Sequence, residues 1–115
     1  MSRDVSLYLE DMRDAAHKAM RFVEGMSFEQ FVASELVFDA TIRNLEIIGE
    51  AARHVPDNLR ERYPGVPWAK LVGFRNVLAH AYVDVDAALV WDTLIHKVPE
   101  LLRDLDAIID GVRPM

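Results

Sequence analysis

The chain has 115 residues, no cysteine and a formal net charge of −6, from 13 Lys and Arg against 19 Asp and Glu. This length predicts a single domain over residues 1–115, and the lack of cysteine excludes disulfide frameworks and thiolate metal sites. The negative charge disfavours a broad electrostatic footprint on a polyanion, although a few converging cations can still form a local site.

The first residues predict neither a signal peptide nor a membrane anchor. They lead at once into an amphipathic segment that carries Glu10, Asp11 and Arg13. The uncharged stretches elsewhere are too short to span a bilayer. We therefore expect a cytoplasmic protein with no membrane partner.

Apolar residues recur every three or four positions along most of the chain, which indicates amphipathic helices. In chain order, the predicted helices span about 4–24, 28–32, 35–54, 67–80 and 86–110, with one further turn at 58–62. Gly25 should end the first helix, and Ser27 with Gln30 forms a possible capping box for the second. Pro56 should end the third, because proline disfavours the helical conformation in the residue before it.

The last helical segment contains a proline in its interior. Asp84 or Asp86 should cap its start, and Pro99 should kink it, since an interior proline costs roughly 3 kcal/mol when nothing compensates for it. The segment is therefore either one kinked helix or two helices, at about 86–97 and 99–110, ending at Gly111.

No alternating strand pattern competes with the helical one. We predict an all-α fold, an antiparallel bundle of four helices, or five if Pro99 divides the last segment. The apolar stripes are wide for a monomer, with Phe28 and Trp91 among the candidates for a second buried face. A homodimer is therefore expected.

The predicted end of the fourth helical segment carries side chains that suit phosphodiester chemistry. Cleavage without a metal needs a group that moves protons near neutral pH and a fixed cation, and His80 and Arg75 are of those types. On an ideal helix the two residues lie about 140° apart, whereas Asn76 and His80 share a face. Arg75 and His80 could meet through the long arginine arm, through unwinding near His80, or across a dimer axis.

The run Arg75-x4-His80-x-Tyr82 resembles the R-x4-6-H-x-Y motif of the HepT-like members of the HEPN superfamily. These are toxins paired with minimal nucleotidyltransferase antitoxins of the MntA kind. The resemblance extends over nearly the whole chain and includes the stretches 42–52, 66–68 and 83–91. Because an R-x4-H triplet alone is common, these companion segments make the resemblance specific.

The resemblance implies a HEPN-like helical fold and a ribonuclease that needs neither metal nor cofactor. Arg75 would clamp the phosphate, His80 would act as general base or acid, and Asn76 would orient His80 or bind a phosphate oxygen, in a cleft between two protomers. Tyr82 matches the tyrosine to which the antitoxin attaches AMP, a bulky anion that would block the cleft. The implied partners are an RNA substrate, with no DNA expected, and an MntA-like nucleotidyltransferase antitoxin.

Simpler interpretations remain for each of these residues. His80 could complement a helix dipole, Arg75 and Asn76 could face solvent, and Tyr82 could cover the bundle end. The chain would then be an inactive adaptor that binds a nucleotidyltransferase, or a plain dimeric scaffold.

Two other groups of polar residues suggest sites only weakly. Glu46 and Glu50 lie four apart, and pairing with Arg43, Arg53 or Arg75 explains them better than a carboxylate site does. The remaining histidines have no spacing typical of metal ligands; they are His17, His54 and His96.

Overall fold

A computed structural model of the chain describes residues 4–80 and 86–112, without the side chains of residues 75–80. The helices, in chain order, are α1 Val5–Phe22, α2 Phe28–Ala33, α3 Glu35–Arg53, α4 Asp57–Arg62, α5 Trp68–His80, α6 Ala87–Asp92 and α7 Val98–Val112. A π-helical turn, Thr93–Lys97, joins the last two. No strand occurs among the described residues, and the all-α prediction is confirmed.

The predicted helix ends are formed by local hydrogen bonds. Ser27 Oγ accepts from the Gln30 N–H at 3.1 Å and Gln30 Oε1 accepts from the Ser27 N–H at 2.9 Å, so the capping box is present. Gly25 follows α1 with φ +76°, a conformation that L side chains rarely adopt. Asp86 Oδ1 caps α6 by accepting from two backbone N–H groups. Asp84, the alternative cap, lies outside the described residues.

Pro99 does not divide the last segment, and of the two alternatives the single helical path is observed. Residues 87–112 continue as one helical path, in which the π-helical turn immediately precedes α7. The Val98 N–H donates to the Thr93 carbonyl, five residues back, so the ladder has already shifted register before Pro99. A widened turn of this kind accommodates a residue that lacks an N–H and whose ring crowds the preceding turn.

The helix α3 packs against both α1 and α5, and α7 packs against α1. Together they enclose one apolar cluster, whose fully buried members include Leu9, Met12 and Leu105. The helix α4 folds back on the end of α3, because the Arg60 guanidinium donates to the Ala52 and Val55 carbonyls. Since α5 starts beside that end and packs along α3, the two helices are antiparallel.

The two aromatic residues expected at a second buried face pack within the chain instead. The Trp91 ring lies 5.1 Å from the Phe31 ring and 6.2 Å from the Phe28 ring, between centroids. This cluster joins α2 to α6, and both Phe28 and Trp91 remain partly exposed in it. In the part of the chain that the structure describes, no helix is long and apolar enough to cross a membrane.

Candidate active site

The helix that carries the candidate motif is anchored at its start. Pro67 precedes α5, and its carbonyl accepts from the Leu71 N–H at 3.0 Å. Trp68 is 6% exposed, and its indole N–H donates to the Tyr63 carbonyl at 3.1 Å. A buried indole that satisfies its only donor holds the helix in a defined orientation on the bundle.

The backbone of α5 stays helical through His80. Arg75, Asn76 and His80 therefore lie on one continuous helix, so unwinding, one of the three ways considered for Arg75 to reach His80, does not occur before His80. At 100° per residue, positions 75 and 80 are about 140° apart around the axis, while positions 76 and 80 share a face. The helix thus brings Asn76 and His80 together and leaves position 75 on another face. Tyr82 lies outside the described residues.

The packing of α5 on α3 shows which part of α3 lies beside the motif. Leu45 and Ile48 of α3 line the same apolar groove as Leu71 and Phe74 of α5. The antiparallel packing of the two helices brings the backbone at the motif end of α5 toward the first half of α3.

Asn44 and Thr41 occupy this part of α3, and the sequence analysis assigned neither of them a role. Both are buried although both are polar, with Thr41 fully enclosed. The signal in the sequence was weak: Asn44 belongs to the 42–52 stretch, but it lies between the apolar positions Ile42 and Leu45 and does not interrupt their spacing. Only the folded structure shows that Asn44 is buried and does not face solvent.

The two glutamates considered as a carboxylate site form ion pairs along α3. Glu46 lies 3.8 Å from the Arg43 guanidinium, and Glu50 lies 2.9 Å from that of Arg53. Glu50 also approaches His54 Nε2 at 3.4 Å. These contacts confirm the prediction that pairing with Arg43 and Arg53 accounts for the two carboxylates.

His54 takes part in a second contact, between α1 and α3. Its ring stacks on the Tyr8 ring with centroids 4.6 Å apart and planes 11° from parallel. The rings line an open groove of about 240 Å³ together with Asp11 and Glu50. Among the described residues, no group of three or more His, Asp or Glu side chains could hold a metal ion.

Comparison with known proteins places the whole bundle, including the motif helix, in one family. The model of the ribonuclease HepT-like family matches residues 12–108. A protein of Methanocaldococcus jannaschii, MJ1380, named as a candidate RNase, is 35% identical over 92% of this chain and 97% of its own length. A protein of Thermococcus cleftensis, named "Probable ribonuclease HepT", is 36% identical over 88% of this chain and 92% of its own. No solved structure matches.

Proposed function

The chain belongs to the ribonuclease HepT-like family, and on that premise we propose that it is the toxin of a type VII-like toxin–antitoxin system. It acts in the cytoplasm as an endoribonuclease that cuts RNA without a metal. The observation that carries the proposal is the family match over residues 12–108, which includes both Arg75 and His80.

The reaction uses the RNA's own 2′-hydroxyl as the nucleophile. His80 takes the proton from this hydroxyl, the oxygen attacks the adjacent phosphorus, and the bond from phosphorus to the 5′ oxygen breaks. The imidazolium then returns a proton to the leaving 5′ oxygen, so the products are a 2′,3′-cyclic phosphate and a 5′-hydroxyl. Arg75 stabilises the charge that builds on the phosphorane oxygens, and Asn76 orients His80 or binds a phosphate oxygen.

The cleft lies between two copies of the chain. The unbroken helix supports this arrangement, because positions 75 and 80 lie on different faces of one copy, and a second copy can bring both to one phosphate. A second support is Leu36, which is 81% exposed at the start of α3. Since α3 and α5 are antiparallel, Leu36 is at the motif end of the molecule, where an apolar contact between copies would flank the cleft.

The partner that silences the enzyme is a nucleotidyltransferase antitoxin, which transfers AMP to Tyr82. The tyrosine oxygen attacks the α-phosphorus of ATP, and pyrophosphate leaves. The AMP group is then a bulky anion attached two residues after His80. That anion would repel RNA and fill the cleft.

Variants of the two catalytic residues test the ribonuclease proposal. We expect Arg75→Ala and His80→Ala each to lower RNA cleavage by about 10²- to 10⁴-fold with EDTA present, because each removes a transition-state interaction. His96→Ala and Arg43→Ala are matched controls, since both side chains are largely exposed, at 68% and 72%, and lie off the motif helix. Equal cleavage by the wild type and both motif variants would overturn the proposal.

Mixing the two inactive variants tests the shared cleft. If each site takes Arg75 from one copy and His80 from the other, mixed dimers contain one intact site. Random pairing then restores about a quarter of the wild-type activity. No recovery after subunit exchange would place both residues of a site in one copy.

An inactive adaptor that binds the nucleotidyltransferase is the second candidate, and the net charge of −6 favours it because RNA is a polyanion. Co-expression with the nucleotidyltransferase separates the two. The toxin proposal predicts AMP on Tyr82 by mass spectrometry and growth arrest without the partner, with Tyr82→Phe as the control. An adaptor would bind the partner and leave RNA intact in every case.

A further inference from the structure

An open groove of about 550 Å³ lies where α1 ends, between the last turns of that helix and the π-helical turn. Part of its lining is apolar, since Met20 and Met26 pack partly buried against the core and Ile95 is 38% exposed. His17 and Arg21, both exposed, line it one helical turn apart on α1. This groove, called the α1 groove below, combines an apolar surface with N–H donors of the kind that bind phosphate.

The α1 groove lies at the same end of the bundle as the motif. Tyr8, near the start of α1, stacks on His54, just after the end of α3, so these two helices are antiparallel. The helix α5 is also antiparallel to α3 and ends with the motif. The ends of α1 and α5 therefore both lie toward the start of α3. Packed helices are about 8–10 Å apart between axes, so one extended RNA strand can reach both ends.

The side chains of the α1 groove match the two parts of a nucleotide. A base has a flat, largely apolar face that methionine and isoleucine side chains can cover, and a phosphate is an anion that arginine binds through two N–H groups. Long side chains of a helix point back toward its N-terminus, so Arg21 reaches away from the end of α1. A phosphate bound to Arg21 thus avoids the negative end of the helix dipole, and the base lies nearer that end.

Glu24 also lines the groove, and its position supports this orientation. It follows Arg21 by three residues and lies beyond the last turn of α1. A carboxylate repels a phosphate, but it accepts hydrogen bonds from the N–H groups on the edge of a base. The charges of the groove therefore favour a phosphate beside Arg21 and a base beside Glu24.

We infer that the α1 groove is an RNA subsite of the ribonuclease, which holds one nucleotide of the strand a few positions away from the scissile phosphate. Its base lies against Met20, Met26 and Ile95, and Arg21 binds its phosphate. The inference rests on the proposed function, because it takes RNA as the substrate. It also explains how a chain with a net charge of −6 holds a polyanion, since an arginine acts locally while distant charges are screened.

Binding of a 2′-O-methyl RNA octanucleotide, which lacks the attacking hydroxyl and is not cut, tests the phosphate contact. Fluorescence anisotropy gives Kd at several salt concentrations. We expect Arg21→Gln to raise Kd about fivefold at 0.1 M salt and to reduce the slope of log Kd against log salt by about 0.7, the contribution of one phosphate contact on a single strand. Arg62→Gln removes the same charge from an exposed side chain of α4, at the opposite end of the bundle, and should change neither value.

Ile95→Asn tests the base contact in the same assay. It should raise Kd by roughly threefold to tenfold and leave the salt slope unchanged, because it removes apolar contact area and no charge. Leu7→Asn is the matched control, since Leu7 is 41% exposed near the start of α1, far from the groove. Equal Kd values for Ile95→Asn and the wild type overturn the placement of the base.

A role for Arg21 that is limited to the dipole of α1 predicts a different result. Arg21→Gln would then lower the free energy of unfolding in urea but would keep the wild-type Kd and salt slope, and that outcome overturns the inference. Free AMP provides a second check, because a strand gains about a hundredfold or more in affinity from its contacts elsewhere on the protein. AMP that binds the wild type as tightly as the octanucleotide does also overturns the inference.

Cleavage kinetics separate this inference from the proposed function. On a dinucleotide, which reaches only the cleft, Arg21→Gln should have the kcat and KM of the wild type. On an octanucleotide of ordinary RNA, its KM should rise about fivefold with kcat unchanged, because the contact is the same in the ground and transition states. If the chain cuts no RNA, the Kd and the salt slope still test the α1 groove. An unchanged KM on the octanucleotide overturns the inference even where cleavage is normal.

Discussion

At the scale of single residues, one buried side chain of α3 lowers the stability of the fold. Thr41 places a hydroxyl in a fully buried site where no described group binds it. A buried polar atom without a partner costs about 1–3 kcal/mol of folding free energy. An apolar side chain of the same size would therefore be more stable at this position.

The Thr41 hydroxyl leads to a stability prediction. Thr41→Val exchanges the hydroxyl for a methyl group of similar size, so it should raise the free energy of unfolding by about 1 kcal/mol. Urea denaturation followed by circular dichroism measures the change.

Thr41→Ser is the matched control. It keeps the hydroxyl and loses the methyl group, so it should lower stability by about 1 kcal/mol. A Thr41→Val protein that is less stable than the wild type would mean that the hydroxyl has a partner in the folded chain.

At the scale of elements, the short helix α4 determines how α5 meets the bundle. The Arg60 guanidinium donates to the Val55 and Ala52 carbonyls at 2.9 and 2.8 Å, which satisfies acceptors left free at the end of α3. One residue after α4 ends, the Tyr63 carbonyl accepts from the Trp68 indole. The orientation of the motif helix therefore depends on one arginine and one tryptophan outside the motif.

Arg60→Met should test this dependence, because it keeps the packing of the stem and loses the hydrogen bonds. We expect the free energy of unfolding to fall by about 2 kcal/mol, because a hydrogen bond to a charged group contributes about 1.5–3 kcal/mol. Denaturation by urea measures the loss.

Arg62→Met provides the comparison on the same helix. Arg62 is exposed, and its guanidinium carbon lies 5.8 Å from the centroid of the Tyr63 ring, so its loss should change stability by less than about 0.5 kcal/mol. If Arg60→Met and Arg62→Met lower the free energy of unfolding equally, the hydrogen bonds from Arg60 to the end of α3 add no specific stability.

At the scale of the whole molecule, one apolar side chain is unusually exposed. Leu36 is 81% accessible at the motif end of α3, whereas Phe28 and Trp91, the residues first expected at an interface, pack together within the chain and stay partly exposed. Isolated exposed leucines are common on proteins. This one lies at the end of the molecule where we propose that a second copy completes the cleft.

Leu36→Asp should therefore produce monomers. Two copies of the new carboxylate would be buried near the symmetry axis without a partner. Size-exclusion chromatography with light scattering should show the mass falling from about twice 13.1 kDa to that of one chain, with RNA cleavage lost.

Leu7→Asp is the control at the opposite end of the molecule. Leu7 is 41% exposed near the start of α1, one residue before Tyr8, which stacks on His54 at the far end of α3. This variant should stay dimeric and active. A Leu36→Asp protein that remains a dimer would place the interface elsewhere.

The amino-acid pattern alone determined most of the helices. Ser27 with Gln30, Gly25 and Asp86 predicted helix ends correctly, because caps and left-handed turns depend on residues only a few positions apart. The pattern also led to the proposal that Arg75 and His80 carry the chemistry, because residue types and their spacing are local too.

Only the tertiary structure decided what depends on contacts between distant segments. It showed that the hydrogen-bond ladder shifts register before Pro99, that Phe28 and Trp91 pack in one cluster, and that Thr41 and Asn44 are buried. The physical reason is that packing between helices selects register and burial after each helix has formed. A helical period indicates which face is apolar but not which neighbour will cover it.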